Sequence, residues 1–298
     1  MKTIITFIAL LTFTGVTFDA FSQCCTVDGW AINNFTDEIG SFDAATGNWT
    51  AIAPLQGDLS GGTFQAGGEV IDCEYFAGAG NNIYSVNTTD GSNSLVISNG
   101  AMGSETWSGL EVDPSTGIFY GVSTNIAQSS LWILDVDAGT ATLVGTENAT
   151  ATCAISLVID MSGQGYYIDI CTDAIWPIDL ATGRTTGPAR PMGFDLNFGQ
   201  DYSFDCPFGS NTIFGYAFNN STFSTQYVEV DPTTGTTTVI QDLGTTQLGS
   251  MAFCIEDEPD PTVPTMGEWG VICLMILMLI VTVVAVGQIE VQVQRVRS

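Results

Sequence analysis

The apolar residues of this chain fall in short runs of β-branched and aromatic residues, separated by segments rich in Gly, Asp, Asn and Thr. Runs such as residues 132–136 and 227–230 are too short for typical helices and have the composition of strands. The turn that follows several of these runs reads Asp-x-x-Thr-Gly. Its Asp can accept hydrogen bonds from the turn backbone, and its Gly tolerates a positive φ. The pattern therefore predicts an all-β fold of short antiparallel strands joined by tight turns.

The strand–turn–strand unit recurs five times. The residues that mark the turns are Asp43, Asn87, Asp137, Asp179 and Asp231, so successive copies are 42 to 52 residues apart. This interval is typical of a β-propeller, in which each blade is a four-stranded sheet. The copies are similar to secreted bacterial propeller modules with the motif Leu-x-x-Val-Asp-x-x-Thr-Gly. That resemblance covers about residues 27–256 and implies a fold without implying an activity.

A second pair of predicted strands precedes three of the turns and is interpreted as the two inner strands of a blade. These pairs are 109–113 with 118–122, 155–160 with 165–168, and 202–205 with 213–217. The first copy begins near Trp30 with no inner strand before it, and residues 250–255 form an inner strand with no blade after it. We therefore predict a single five-bladed propeller over residues 23–256, closed by strands from both ends. The alternatives are six blades, with 60–68 part of a degenerate blade, and a two-sheet sandwich.

The N-terminal residues 1–22 have the pattern of a secretory signal peptide. Lys2 is followed by an apolar run to about Phe18, and small residues lie at Ala20 and Ser22. We expect cleavage after Ser22 and export of the remaining chain. A lipid anchor at Cys24 is the alternative.

The C-terminal end has the features of a membrane-borne sorting segment. An acidic, proline-containing linker, 257–262, precedes the segment 263–298, in which we predict a transmembrane helix at 271–287. Arg295 and Arg297 would follow this helix on its cytoplasmic side. The motif that precedes the helix consists of Val263, Pro264, Thr265, Met266, Glu268, Trp269 and Gly270.

This segment resembles the bacterial IPTL-CTERM sorting signal, with Val263 and Met266 in place of the family's Ile and Leu. The resemblance implies an exosortase-type transpeptidase as partner, transient anchoring in the inner membrane, and removal of the tail. The body would then be transferred to the cell surface, the outer membrane or the extracellular matrix. A plain single-span membrane anchor is the alternative.

The charge of the chain is strongly negative, with 32 Asp and Glu, 5 Lys and Arg, and no His. Within residues 23–256 the cations are Arg184 and Arg190. Such a surface repels phosphate backbones, which excludes nucleic acid as a partner. It suits cations, so Ca²⁺ is the one cofactor that we consider, and a solvated acidic face is the simpler interpretation.

Eight cysteines occur, of which Cys273 lies in the apolar tail. An exported protein is expected to form disulfides. The candidates are Cys24, Cys25, Cys73, Cys153, Cys171, Cys206 and Cys254. We predict that Cys254 pairs with Cys24 or Cys25 and so fastens the ring. The absence of a Cys-x-x-Cys or Cys/His arrangement argues against a zinc site.

The body of the chain has neither His nor Lys, which removes Ser-His triads, His-ligated metals and Lys Schiff bases. Carboxylate pairs, as in glycoside hydrolysis, remain. The candidates near the inner strands are Glu69, Asp72, Glu74, Glu111, Asp113, Asp160 and Asp205. For Asp113, Asp160 and Asp205, turn capping is the alternative role.

We therefore expect a non-enzymatic propeller that binds a glycan, a protein or a matrix component, or has a structural role at the surface. The alternative is a carboxylate-dependent glycoside hydrolase on a five-bladed ring. A group of acids at the mouth of the central channel with a facing aromatic would favour the hydrolase. Trp49, Trp107 and Trp176 could stack on sugars, although core packing is the simpler role for a strand Trp.

Overall fold

The computed structural model describes residues 27–98, 100–101, 103–204 and 212–254. The chain divides into the units Met1–Ile255 and Glu256–Ser298, and every described residue belongs to the first. The predicted signal peptide, linker, sorting motif and helix 271–287 lie outside the described residues, as do Cys24, Cys25, Asp205 and Cys206. Within the described part of the chain, no helix is long and apolar enough to cross a membrane.

The described residues form five antiparallel sheets, each a blade of a β-propeller. Blade 1 contains β1 (Gly29–Asn33), β2 (Glu38–Phe42), β3 (Trp49–Pro54) and the closing strand β21 (Leu248–Phe253). Blade 2 contains β4 (Gln65–Ile71), β5 (Glu74–Ala79), β6 (Asn82–Val86) and β7 (Asn93–Ile97). A short 3₁₀ helix, Gly57–Leu59, lies between β3 and β4.

The other three blades follow the same order from the axis outward. Blade 3 contains β8 (Thr106–Val112), β9 (Phe119–Thr124), β10 (Ser129–Asp135) and β11 (Thr140–Glu147). Blade 4 contains β12 (Ala154–Ile159), β13 (Gly165–Asp169) and β14 (Ala174–Asp179), with β15 (Arg184–Thr185) and β16 (Arg190–Pro191) both pairing with β14. Blade 5 contains β17 (Asp201–Ser203), β18 (Ile213–Asn219), β19 (Ser224–Val230) and β20 (Thr237–Asp242).

The ring is closed by strands from both ends of the domain, as predicted. The C-terminal β21 pairs with β1 as the innermost strand of blade 1, with Gly29 opposite Phe253 and Trp30 opposite Ala252. The five-bladed fold is confirmed, and the sandwich alternative is wrong. The six-bladed alternative is also wrong, because Gln65–Ile71 is the innermost strand of blade 2.

The core lies between neighbouring blades, where large side chains of adjacent sheets meet. Phe42 of blade 1 contacts Tyr216 of blade 5 with ring centroids 5.6 Å apart, and contacts Phe253 of the closing strand at 5.3 Å. Phe76 of blade 2 likewise contacts Phe119 of blade 3, with ring centroids 6.1 Å apart. Each sheet therefore buries both faces, which explains why the inner strands are apolar along most of their length.

The outer strands share an irregularity that protects the exposed edges of the sheets. Each of four outer strands has a register shift that leaves one residue unpaired: Ile52 in β3, Val96 in β7, Val144 in β11 and Ile240 in β20. A bulge bends and twists an edge strand, and this discourages pairing with another chain.

One of the five repeat markers differs from the prediction. In blade 3 the turn between β10 and β11 is held by Asp135, whose Oδ1 accepts a hydrogen bond from Ala138 N at 2.8 Å. Asp137 lies inside this turn, which has four residues between the paired Asp135 and Thr140. The corresponding turn of blade 5 has six, between Val230 and Thr237. The shorter turn places the capping carboxylate two residues earlier.

Candidate ligand-binding face

The two faces of the ring carry different loops. Strands of each blade are counted from the axis outward. The lower face is the one that carries the turns between the first and second strands and between the third and fourth strands. The upper face has the loops between second and third strands, 34–37, 80–81, 125–128, 170–173 and 220–223. It also has the segments that join blades, of which 55–64, 192–200 and 243–247 are used below.

The Asp residues of the lower face cap their own turns. Asp113 Oδ1 accepts hydrogen bonds from Ser115 N at 2.9 Å and Ser115 Oγ at 2.7 Å. Asp160 Oδ1 accepts from Ser162 N at 2.9 Å and from Ser162 Oγ at 2.6 Å. The turn-capping role is therefore confirmed for these two candidates.

The pKa of the Asp113 carboxyl follows from this arrangement. Partial burial raises it, but hydrogen bonds from Thr116 and Ser115 outweigh burial, so the pKa lies below its ordinary value. A general acid needs a raised pKa to hold its proton at neutral pH. Asp113 is therefore unsuited to protonate a leaving group.

The centre of the ring is packed at the level of the inner-strand glycines. A Cβ on Gly109 would lie 2.4 Å from Leu157 N, and a Cβ on Gly68 would lie 2.2 Å from Ser250 O. The inner strands of neighbouring blades therefore approach each other backbone to backbone. This close approach explains why β4 contains Gly67 and Gly68, which made it hard to identify as a strand.

Asp201 at the start of β17 joins several blades at this level. Its Oδ2 accepts hydrogen bonds from Gly68 N at 2.9 Å and Met251 N at 3.0 Å. Its Oδ1 accepts from Ser156 Oγ at 2.7 Å and Tyr202 N at 3.0 Å. Blades 1, 2, 4 and 5 thus share one carboxylate.

Burial raises the pKa of Asp201 to about 7, against its hydrogen bonds, which favour the ionised form. Sequence analysis did not select Asp201. A lone Asp before a short strand carries no pattern that would distinguish it.

The two glutamates of the inner strands are also buried. Glu69 is 2% exposed, and its two carboxylate oxygens accept hydrogen bonds from Val70 N and Val112 N, both at 2.7 Å. Glu111 is 0% exposed, and its Oε1 lies 3.5 Å from Phe204 N. Glu69 thus ties the neighbouring inner strands of blades 2 and 3 together, whereas Glu111 links blade 3 to blade 5, which is not its neighbour in the ring.

The other two described candidates, Asp72 and Glu74, do not form a site together with the buried Glu69 and Glu111. Asp72 is in the β4–β5 turn with a positive φ of 49°, and Glu74 accepts a hydrogen bond from Ser85 Oγ. Among the described residues, no group of three or more His, Cys, Asp or Glu side chains could hold a metal ion. The arrangement expected of a hydrolase is therefore not assembled by the candidates that the structure describes.

The tryptophans proposed for sugar stacking are not the exposed aromatics. Trp107 is 2% exposed, Trp49 is half-buried and donates through Nε1 to Ala31 O, and Trp176 donates through Nε1 to Thr172 Oγ1. The exposed large aromatics of the described residues are instead phenylalanines in upper-face segments: Phe35 (58%), Phe64 (40%), Phe198 (46%) and Phe223 (64%). We call them the upper-face phenylalanines.

A chain of amide side chains links the segments that carry these rings. Asn34 pairs with the backbone of Gln65 in both directions, accepting from its N at 2.9 Å and donating to its O at 3.0 Å. Asn34 N donates to Gln247 O at 2.8 Å, and Gln247 Nε2 donates to Phe198 O at 2.9 Å. Asn197 Nδ2 donates to Asn220 Oδ1 at 3.0 Å. We call the five amide residues among them the amide network: Asn34, Gln65, Asn197, Asn220 and Gln247.

The amide network places the upper-face phenylalanines in one region. Phe35, Phe64 and Phe198 are each next to a network residue in the chain, and Phe223 closes the loop that Asn220 begins. Phe35 is further held by an edge-to-face contact with the buried Phe218, with centroids 6.4 Å apart. Blades 1, 2 and 5 therefore present these rings on a hydrogen-bonded platform.

Phe223 has a backbone conformation that its residue type disfavours. It is the last residue of a four-residue loop, with φ of 52°. Asp37 and Asp173 occupy the same position in blades 1 and 4, also with positive φ. Their carboxylates accept hydrogen bonds from Gly62 N and Leu196 N, both at 2.8 Å.

Asp tolerates the left-handed region, whereas a bulky side chain there is an outlier. Strain of roughly 1–3 kcal/mol at such a position is typical of functional sites. Exposed Ile126, with φ of 63°, is a second case on this face, in blade 3.

The upper face has acids but lacks cations in its described loops. Asp37, Asp58, Asp173 and Asp195 lie there, whereas Arg184 and Arg190 are in strands of blade 4. The Arg190 guanidinium donates to Pro232 O of a lower-face turn and lies 5.8 Å from the centroid of the Tyr166 ring. The potential at the upper face is therefore negative.

The prediction that the chain forms disulfides is confirmed, and the structure shows one pairing that the sequence analysis did not specify. Cys153 and Cys171 are bonded, with Cα atoms 5.6 Å apart, and join the start of β12 to the β13–β14 loop. Cys73 and Cys254 each also take part in a disulfide. We predicted that Cys254 pairs with Cys24 or Cys25, and both of these lie outside the described residues. The disulfide that would close the ring therefore stays a prediction.

Comparisons with known proteins support the fold. No family model matches the chain, and no curated protein matches it in sequence. A chain in the crystal structure of a nidogen/laminin complex matches with a TM-score of 0.51 and 15% identity, over 78% of this chain and 82% of that one. At this identity, the likeness supports the propeller fold alone.

Two further solved structures have lower scores. A protein of unknown function from Bacteroides caccae has a TM-score of 0.46 and 8% identity, over 72% of each chain. The calcium-binding protein regucalcin from Agrobacterium tumefaciens has a TM-score of 0.41 and 15% identity, over 69% of this chain and 67% of that one.

Proposed function

We propose that this protein is an exported, non-enzymatic binding propeller of the cell surface or its matrix, and that its ligand docks on the upper face. The observation that carries the proposal is Phe223, an exposed ring held in a strained backbone conformation among three other exposed phenylalanines. Neither exposure nor strain helps folding, so a binding role is the physical explanation for both.

Delivery by the C-terminal segment is part of the proposal. The motif from Val263 to Gly270 and the apolar run after it support processing by an exosortase-type transpeptidase. Mass spectrometry of surface-released protein should find a start near Gln23, an end near Thr265 and no apolar tail. Recovery of mature protein with an intact tail would reduce the segment to a membrane anchor.

The placement of the acids supports a binding role over hydrolysis. Asp113 and Asp160 cap turns, and Glu69 and Glu111 are buried between inner strands. A glycoside hydrolase needs two carboxyl groups that flank a bound sugar, one of which retains a proton near neutral pH. These four acids do not form such a pair on the solvent side.

The test combines binding and turnover on the full chain in mild detergent. Arrays of glycans and of extracellular proteins, read with and without Ca²⁺, should reveal a ligand whose binding is lost in the double variant Phe35→Ala/Phe223→Gly. The matched control is Met161→Ala, which removes an equally exposed apolar side chain from the lower face. Turnover of glycosides that is lost in Glu69→Gln or Glu111→Gln would overturn the proposal in favour of the hydrolase.

A further inference from the structure

We infer that the ligand of the upper face is a neutral polysaccharide, with sugar rings stacked on Phe35, Phe198 and Phe223 beside the amide network. The inference deepens the proposed function and rests on it. Three independent properties of the same region support it: the aromatic rings, the hydrogen-bonding groups and the sign of the charge.

The rings supply flat apolar surfaces that are open to solvent. Phe35, Phe198 and Phe223 are 58%, 46% and 64% exposed. A pyranose ring has an apolar face of C–H groups and an edge of hydroxyls, so it can bury the face against an aromatic ring while its edge remains solvated or hydrogen-bonded. Phenylalanine offers no polar group of its own, so the hydrogen bonds to a sugar must come from neighbouring side chains.

The amide network provides those neighbours. Asn and Gln side chains carry both donors and acceptors, which matches hydroxyl groups that also do both. Asn34, Asn197, Asn220 and Gln247 are partly exposed, so their amides can be reached from solvent. Gln65 is 0% exposed and instead holds Asn34 in place through its backbone.

The charge of the face selects between classes of polysaccharide. Asp37 and Asp195 lie beside the platform, and its described loops contain no Lys or Arg. A sulfated or carboxylated polymer would meet like charge with no compensating cation, which costs binding energy at low ionic strength. A neutral polymer meets no such repulsion.

The geometry of the region favours a sugar chain over a protein partner. The cores of protein interfaces are depleted in charged groups and are contiguous in apolar area. Here the exposed rings alternate with the residues of the amide network. The exposed, charged Asp195 lies among them, because its backbone O accepts a hydrogen bond from Asn220 N at 2.7 Å. The platform is fixed by hydrogen bonds of 2.8 to 3.0 Å between blades, so little is lost in ordering it when the ligand binds.

Affinity electrophoresis of the full chain provides the test. The gels contain soluble neutral polysaccharides (mixed-linkage β-glucan, laminarin, galactomannan, xyloglucan or dextran) or the anionic polymers alginate and dextran sulfate. We expect retardation by at least one neutral polymer and none by the anionic ones. Phe35→Ala and Phe223→Gly should each weaken binding about tenfold, since one stacked ring is lost.

Two controls separate stacking from folding. Phe223→Gly removes the ring and relieves the backbone, so its thermal midpoint should not fall while its binding does. Ile126→Gly makes the same backbone change in blade 3, away from the platform, and should leave retardation unchanged. Retardation that survives Phe35→Ala and Phe223→Gly, or that occurs only with anionic polymers, overturns the inference.

The outcomes also separate this inference from the proposed function. If no neutral polymer of the panel retards the chain, but an extracellular protein binds and Phe35→Ala abolishes that binding, the polysaccharide is wrong and the binding propeller stands. If no ligand of any class depends on the upper-face phenylalanines, both are wrong.

Discussion

The lower and upper faces of this propeller follow local rules of chain conformation to different degrees. On the lower face, Asp43, Asp113 and Asp231 cap turns in which a Gly has a positive φ. On the upper face, Ile126 and Phe223 occupy left-handed positions where Gly or Asp is easier to accommodate. The lower face has an outlier too, since Cys73 has a φ of 69°, but both upper-face outliers expose large apolar side chains to solvent: the ring of Phe223 and the aliphatic side chain of Ile126.

The acids near the axis of the ring have a structural role, like the turn-capping Asp residues of the lower face. Asp201, Glu69 and Glu111 are fully or almost fully buried and hold inner strands together. The difference teaches that Glu69, Glu111 and Asp201 are structural links of this ring, whereas the exposed phenylalanines form the surface that we propose for ligand binding. Scaffold changes should therefore alter stability, and upper-face changes should alter binding.

The largest effect is expected from removing the axial carboxylate. Asp201→Ala leaves the buried Gly68 N, Met251 N and Ser156 Oγ without their acceptor, so the free energy of unfolding should fall by about 3–5 kcal/mol. Asp201→Asn keeps one oxygen for Gly68 N and Met251 N and can donate to Ser156 Oγ, while Tyr202 N loses Oδ1 and retains Ser156 Oγ at 3.2 Å, so this variant should lose less than Asp201→Ala. Urea unfolding measures both, and circular dichroism reports a variant that fails to fold. Equal losses in the two variants would contradict the role of Asp201 as a shared acceptor.

Reduction of the Cys153–Cys171 disulfide should have the next largest effect. The bond closes a loop with a sequence separation of 18, so its removal should lower the free energy of unfolding by about 3 kcal/mol. The double variant Cys153→Ser/Cys171→Ser isolates this bond from the disulfides of Cys73 and Cys254. Because the bond lies in blade 4, ligand binding at blades 1, 2 and 5 should be unchanged under conditions where the variant is folded. Lost binding in a folded double variant would show that the scaffold and the working surface are not separable.

The stability of the scaffold should fall as the pH rises through neutrality. The ordinary pKa of an Asp is 3.8, and burial raises that of Asp201 to about 7, so between these values the folded state holds a proton that the unfolded state has released. Stability is therefore highest at the acidic end of this window and declines by roughly 2–3 kcal/mol from pH 5 to pH 8. Burial raises the pKa of nearby Tyr75 and Tyr202 well above the ordinary value, so both stay neutral throughout.

Other acids act outside this window. Hydrogen bonds lower the pKa of Asp113 and Asp231, so their contributions are lost only as the pH falls below about 4. The measurement is the difference in urea midpoint between wild type and Asp201→Asn at pH 5 to 8, since the variant cannot ionise. A parallel decline in both proteins would assign the effect to another group.

The smallest effects should have opposite signs on the two faces. Gly117 has a φ of 72° on the lower face with nothing within 4 Å of an added Cβ, so Gly117→Ala should cost about 1 kcal/mol through backbone strain alone. Phe223→Gly should instead stabilise by about 0.5–1 kcal/mol, because it relieves the same kind of strain at an exposed site. Thermal midpoints of the two single variants test this pair. A destabilised Phe223→Gly would mean that the ring contributes to folding, which would remove the main argument for its binding role.

Much of the fold could be predicted because it depends on short segments. The Asp-x-x-Thr-Gly turns are held by contacts within four residues. The Asp231 carboxylate, for example, accepts hydrogen bonds from Thr233 N and Thr234 Oγ1, and its backbone O accepts one from Gly235 N. Repetition of this local chemistry set the number of blades, and the incomplete first and last copies predicted the pairing of β1 with β21. The inner strand β4 was missed because its glycines serve contacts with other blades instead of its own strand pattern.

The sequence by itself determined the repeat, the turn chemistry and the closure of the ring, because each depends on residues near one another in the chain or on the order of the copies. The tertiary structure alone decided that Asp201 is shared by four blades, since Gly68 is 133 residues away from it. It also decided which aromatics are exposed: Trp107 is buried by blade packing, whereas Phe35 and Phe223 remain in solvent. Burial depends on what the folded ring places beside a residue, and neighbours in the chain do not specify that.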